Sequence, residues 1–285
     1  MDFFIDKTAD NIVEKELTEK ERDEVINCIL DKKKLPEKIL YKNKPNLLNL
    51  TTMPEFLRNI KKVKRIIERF VHQKAIITIF GEPASCKSIL ANYIACCIST
   101  GAKFFGKYKT IKLPVLYLSS ENPQRIDAVR FKAIFKGMKI NAIRRALKNL
   151  HLFYCERKDI GILNDEIYFS KLENTIRDEG IKVLIIDTLS PMILDLDDNK
   201  ASEVVFIFKN RLEPLVDNYG ITIIFLMHSQ KSGRDFLGSV KFKASVDAFY
   251  ELKREEDKLS FLSHKDREKE HNLDFRIKFE NKNEE

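Results

Sequence analysis

Glycine and proline are scarce in this chain, 9 and 8 of 285 residues, which argues against a disordered or linker-dominated protein. No apolar run approaches the roughly 20 residues needed to cross a bilayer, so no membrane partner is expected. The opening segment MDFFIDKTADNIVEKE has neither the basic nor the apolar region of a secretory leader, and a cytoplasmic location is expected. Cysteine is sparse too: Cys28, Cys86, Cys96, Cys97 and Cys155 form no C-x-x-C pair and are odd in number. Neither a zinc site nor a disulfide framework is indicated, and reduced, buried thiols are expected.

What is present is ample aliphatic content rich in Ile, with charged residues at 33% of the chain. That length suffices for one large α/β domain plus a small appendage, or for two modest domains. The formal net charge of +8 favours an anionic partner.

Residues 1–45 are highly charged and helix-like, broken near Pro36 and followed by the turn-prone NKPNLLNLTTMPE, which reads as a helical appendage with a linker. From 46 to 285 strand patterns alternate with helix patterns, the mark of a mostly parallel sheet covered on both faces. Strands are expected at 75–80, 115–119, 151–154, 183–187, 221–226 and 248–253, and helices at 88–98, 128–136, 140–148, 169–178 and 201–218. The closing segment YELKREEDKLSFLSHKDREKEHNLDFRIKFE reads as an antiparallel extension of the sheet. The runs KKK at 32–34 and KKVKR at 61–65 read as solvated helix faces.

The sharpest signal is AIITIFGEPASCKSILANYIACCIS at 75–99, an apolar strand, a tight loop and an amphipathic helix. The loop nearly matches G-x-x-x-x-G-K-[ST], whose backbone N–H groups wrap phosphate oxygens at the positive end of the helix. Gly81 turns the chain off the strand, and Glu82, Pro83, Ala84, Ser85, Cys86 and Lys87 form the cradle. Lys87 is expected to reach the β- and γ-phosphates and Ser88 a magnesium ion. Cys86 stands where the second Gly belongs, and its Cβ threatens crowding or strain. A nucleotide hydrolase follows as the expectation.

Asp187 ends the apolar strand VLIID and is placed to hold magnesium through water, but Thr188, not Glu, follows it. The water-activating carboxylate must come from elsewhere, and Glu121, just past VLYLSS, supplies one at the C-terminal edge where open α/β sheets place ligands. At the end of IIFLMHSQKSG, His228 and Gln230 are the candidates to sense the γ-phosphate.

Taken together, GEPASCKS, VLYLSSENP, IKVLIIDTLSPMI with DDNKAS, IIFLMHSQKSG, GSVKFKASVDAFYEL and SHKDRE resemble the RecA-like ATPases over about residues 46–285. Within them, the resemblance is to the hexameric replicative helicases of the DnaB and plasmid RepA type. It implies a RecA-like, mostly parallel sheet flanked by helices, ATP and Mg2+ as ligands, a hexameric ring of identical subunits, and single-stranded DNA as partner, with RNA left open. It also implies that Lys265 and Arg267 of the late K-x-R enter the neighbouring subunit's ATP site. Lys231, Arg234, Lys241 and Lys243, in the loop after the sensor strand, then line the central channel, with Phe236 or Phe242 available for base stacking. A replicative helicase of plasmid or viral type is the leading expectation. The alternatives are a RecA- or KaiC-like recombination or regulatory ATPase without unwinding, and a nucleotide-gated DNA-binding or loader protein with impaired turnover.

Overall fold

The structure is a computed structural model that describes Lys20, Asn27 and residues 50–59, 64–138, 150–193, 205–229, 243–255, 258–267 and 275–278. The helix expected at 140–148, the DDNKAS segment, Cys28, Gln230, Lys231, Arg234, Phe236, Lys241 and Phe242 lie outside these residues.

The chain divides into two units, Met1–Lys61 and Lys62–Glu285, whereas the sequence placed its boundary after residue 45. In the first unit, part of the expected linker is helical: α1 spans Met53–Asn59, with Glu55 in its first turn and Arg58 in its last. Those charges suit the helix dipole, and Phe56 N–H donates to Thr52 O at 2.8 Å to start the helix.

The second unit opens with a small hairpin, β1 (Arg65–Ile67) and β2 (Val71–His72). The solvated helix face expected at 61–65 is corrected here for its last residue, because Arg65 is half-buried in a strand. Its apolar neighbours Ile66, Ile67, Phe70 and Val71 also fit one side of a helix. The turn at 68–70, with Arg69 at φ 64, reverses the chain instead.

The main sheet contains β3 (Ile76–Gly81), β4 (Val115–Ser119), β5 (Leu152–Cys155), β6 (Val183–Asp187), β7 (Thr222–His228), β8 (Ala248–Glu255), β9 (Lys258–Asp266) and β10 (Phe275–Lys278), in the order β10-β9-β8-β3-β7-β6-β4-β5. Strands from β8 through β5 are all parallel to their neighbours, and β9 and β10 add antiparallel pairs. The parallel strands are nearly continuous apolar runs because both faces are covered. One face packs Leu116, Leu184, Ile186 and Phe225 against α4 (Glu166–Asp178), and the other packs Ile77, Tyr117, Ile185 and Ile224 against α2 (Lys87–Thr100). Each fully buried Ile contributes about 1.5–3 kcal/mol over exposure. This is the RecA-like α/β architecture with its antiparallel C-terminal extension.

Three helices depart from expectation: α3 (Gln124–Gly137) starts four residues before the expected 128, and two others differ for identifiable reasons. α4 begins three residues early because Asp165 caps it, accepting from Tyr168 N–H at 2.8 Å. The single helix expected at 201–218 is interrupted: a π-helical segment, Phe208–Leu212, precedes α5 (Glu213–Tyr219). Pro214 lacks an N–H and its ring collides with the carbonyl four residues back, and the wider turn accommodates it.

The register brings the strand ends to one edge. Gly81 pairs with His228, and Ser119 with Asp187, so the phosphate loop, Glu121 and His228 come from neighbouring strands.

Candidate nucleotide-binding and hydrolysis site

The loop between β3 and α2 is shaped by close approach. A Cβ on Gly81 would lie 2.3 Å from Leu252 O of β8 and 2.9 Å from Ser85 Oγ, so only Gly fits where the strand meets its neighbour's backbone. Ala84 and Cys86 both take the left-handed conformation, at φ 63 and φ 66. Cys86 is the N-cap residue of α2 and makes no side-chain cap bond. A non-Gly residue there costs about 1–2 kcal/mol, so the departure from the phosphate-loop pattern is a backbone strain at the second Gly position. The Arg254 guanidinium of β8 comes within 4.0 Å of the Cys86 thiol.

Lys87 is 5% exposed. Its ammonium donates to Gly81 O at 2.9 Å, Glu82 O at 2.7 Å and Ser85 Oγ at 3.3 Å. Burial lowers its pKa to about 8, opposed by the nearby Asp187 and Glu121 charges. The cation therefore sits inside the cradle, held by the loop's own carbonyls.

In the first turn of α2, Ser88 Oγ donates to Asp187 Oδ1 at 3.0 Å. The fully buried Tyr117 of β4 donates to Asp187 Oδ2 at 2.7 Å, and Asn122 Nδ2 reaches the same oxygen at 3.5 Å. Burial raises the Asp187 carboxyl above the ordinary range, against the pull of the Tyr117 and Ser88 hydrogen bonds. A cation nearby would offset that cost.

Glu121 follows β4. Its Oε1 accepts from Thr188 Oγ1 at 2.6 Å, and its Oε2 lies 3.4 Å from His228 Nε2. The His228 hydrogen bond, then that from Thr188, lower its pKa despite partial burial, so the carboxylate is ionised at neutral pH. Thr188 is itself fixed, because its N–H donates to Ser120 Oγ and Ser120 Oγ donates to Thr188 O, each at 2.7 Å. Four strands thus supply one constellation: Lys87 and Ser88 after β3, Glu121 after β4, Asp187 at the end of β6 with Thr188 just after it, His228 on β7.

The donor set fits nucleotide and magnesium. Hydroxyl and carboxylate oxygens suit a hard cation that keeps most of its waters, and the left-handed loop before a helix N-terminus suits phosphate. Among the described residues no group of three or more His, Cys, Asp or Glu is arranged to hold a metal ion; Ser88 Oγ and the Asp187 carboxylate, 3.0 Å apart, are the oxygens that could hold a magnesium ion.

The other candidates lie elsewhere. Asp266 at the end of β9 pairs with Ala248, which pairs with Ile77 near the start of β3, so Lys265 and Arg267 stand at the sheet edge opposite the phosphate loop. Lys265 Nζ donates to the carbonyls of Lys243, Ala244 and Val246, and burial lowers its pKa. Arg267 donates to Asp247 Oδ1 at 2.9 Å and Ala244 O at 2.6 Å. Lys243 is exposed, its ammonium 5.4 Å from the centre of the Phe249 ring.

Sequence reasoning missed Tyr117, Ser120, Asn122 and Thr188 as partners of the two acids. The available signal was strand alternation, since Tyr117 and Asp187 fall on the same face once β4 and β6 are neighbours. The thiols also need correction: Cys96 and Cys97 are buried, but Cys86 and Cys155 are only partly so.

No helix among the described residues is long and apolar enough to cross a membrane. No curated protein matches the chain. The model of the AAA_25 family, an AAA domain, matches residues 43–234, more than half of the chain and inclusive of Lys87, Glu121, Asp187 and His228. The chain belongs to this family of AAA domains and, by its phosphate loop and sheet, to the P-loop ATPases.

Proposed function

We propose that this protein is an ATP-hydrolysing, oligomeric motor that moves on single-stranded DNA, a replicative helicase of plasmid or viral type acting as a hexameric ring. The observation that carries the hydrolytic part is Glu121, an ionised carboxylate fixed by Thr188 and His228 beside the Lys87, Ser88 and Asp187 cluster.

In this reading the loop N–H groups and Lys87 neutralise the β- and γ-phosphates of ATP. Ser88, and Asp187 through water, hold Mg2+, which when bound screens phosphate charge and polarises the phosphoryl group. Glu121 orients a water in line with the γ-phosphorus and accepts its proton as the new P–O bond forms and the bond to the bridging oxygen breaks. ADP and phosphate leave. His228 holds Glu121 and responds to loss of the γ-phosphate.

The oligomeric and DNA-binding parts rest on position and charge. Lys265 and Arg267 lie at the edge away from the chain's own phosphate loop, so they can act on a nucleotide only if it belongs to another subunit. Lys231, Arg234, Lys241 and Lys243 follow β7 within a chain of net charge +8, which suits a phosphate backbone. A second reading, a nucleotide-gated DNA-binding protein with impaired turnover, is favoured by the strained Cys86. The ATPase rate with and without single-stranded DNA, followed by unwinding of a forked duplex, tests the proposal. Stimulated hydrolysis with unwinding is expected; ATP binding without turnover selects the second reading, and stimulation without unwinding a recombination or regulatory ATPase.

A further inference from the structure

α3 (Gln124–Gly137) follows the loop that carries Glu121 and Asn122. Its N-cap residue is Pro123, which supplies no side-chain cap, so the usual anchor for a helix start is missing. Within its first two turns Arg125, Ile126, Ala128 and Val129 are exposed, yet Asp127 is 0% exposed. Three elements converge on that carboxylate: Ser119 of β4 donates to Oδ2 at 2.6 Å, Tyr154 of β5 to Oδ2 at 3.1 Å, and Arg130 of α3 to Oδ1 at 3.1 Å.

Burying a carboxylate is costly even when it is paired, and an apolar residue would anchor a helix to a sheet at least as well. The location is also unfavourable in charge: Asp187 is pushed up by burial, and the neighbouring Asp127 charge adds to the push. What Asp127 provides that an apolar residue does not is a directed bond to Ser119, the last residue of β4. That bond closes a loop of residues 120–126, and on its other side the loop is tied by Ser120 to Thr188. Glu121 and Asn122 lie between the two ties.

We propose that Asp127 is a positioning residue that clamps this loop and thereby sets the place of Glu121 against the phosphate loop. The proposal rests on the ATPase reading of Glu121. A base displaced by about 1 Å loses on the order of 100-fold in rate without losing substrate, so the clamp acts on turnover and not on nucleotide affinity.

The test uses the full chain with Asp127→Asn, Asp127→Ala and Ser119→Ala. Amide hydrogen exchange is read in peptides covering 120–126, beside ATP affinity by equilibrium titration and kcat with KM. Exchange is expected to rise about 10-fold and kcat to fall about 10- to 100-fold, with ATP Kd within about twofold. Asp127→Asn, which keeps an acceptor, should be milder than Asp127→Ala. Unchanged exchange, unchanged kcat, or a Kd that weakens in step with kcat overturns the clamp. Ser119→Ala removes a single bond and keeps the test intact should Asp127→Ala fail to fold. Absence of hydrolysis in the unaltered chain would sink the ATPase reading alone, and the exchange comparison would still decide the clamp.

Discussion

Thr188 donates a 2.6 Å hydrogen bond to Glu121 from the position directly after Asp187. One strand end therefore serves both acids: Asp187 faces Ser88, and its neighbour holds the carboxylate assigned to water. A hydroxyl stands where an Asp-Glu pair would carry the base, and it bonds the carboxylate that follows β4, the base in the proposed mechanism. Glu121→Gln should retain ATP and lose about 10²–10⁴-fold in kcat, the range for general-base catalysis. Thr188→Val, of similar shape, should lose about 10-fold with little change in KM. Full turnover in Glu121→Gln removes Glu121 from the mechanism.

The Lys87 ammonium has a pKa lowered by burial to about 8, below the unfolded value of 10.5. The folded chain therefore releases this proton first. Stability should rise as pH climbs from about 8 to 10.5, where only the unfolded chain still holds the proton. ATP affinity should do the opposite, weakening above pH 8 as the cation disappears, with proton uptake on binding. Titrations from about pH 7 to about pH 10 read this directly, and Lys87→Arg should flatten the profile because Arg stays charged. Lys87→Ala should abolish productive ATP binding at every pH. Normal ATP binding by a folded Lys87→Ala protein is incompatible with the phosphate-loop assignment.

Cys86→Gly relieves a residue at φ 66. The variant should gain about 1 kcal/mol in stability, read as a raised Tm, and keep or increase its ATPase rate. A severe loss of turnover would show that the thiol has a function of its own.

Some of this was legible in the sequence. Val115–Ser119 and Val183–Asp187 were read to the residue because a parallel strand buried on both faces is an unbroken apolar run. GEPASCKS, Glu121 and Asp187 were legible because each follows such a run at the edge where loops converge. The β1–β2 hairpin was not, since Ile66, Ile67, Phe70 and Val71 have a spacing that a helix satisfies equally well. The partners of Glu121 and Asp187 were not either, because Tyr117 and Thr188 meet them only through the register of β4 against β6. Nor could the sequence show that Lys265 and Arg267 bond to carbonyls and a carboxylate about twenty residues earlier.

Those bonds sharpen the expectation for Arg267. Its guanidinium is half-exposed while bonded to Asp247 and Ala244, so Arg267→Ala should cost little stability. Hydrolysis by the assembled protein should fall strongly, toward the ~10³–10⁵ range of arginines acting in trans, while ATP binding by the isolated subunit is kept. Mixing Arg267→Ala with Glu121→Gln should restore partial activity, because some interfaces then join an intact Glu121 to an intact Arg267. Verified mixed oligomers without rescue would leave Arg267 a local tie to Asp247.

The basic segment after β7 gives the prediction most specific to a motor. Lys243 is exposed and its ammonium lies near the Phe249 ring, so it is available to an anion without being needed in the core. Neutralising Lys241 and Lys243 together should weaken single-stranded DNA binding and flatten its salt dependence by about one to two units of log–log slope, as for two lost phosphate contacts. DNA stimulation of the ATPase should disappear while basal hydrolysis persists, because neither lysine is assigned to the nucleotide. DNA affinity at several salt concentrations, beside ATPase with and without DNA, provides the measurement. Unchanged affinity together with unchanged stimulation would remove these residues from the DNA path, and the regulatory ATPase would become the better account of the same nucleotide site.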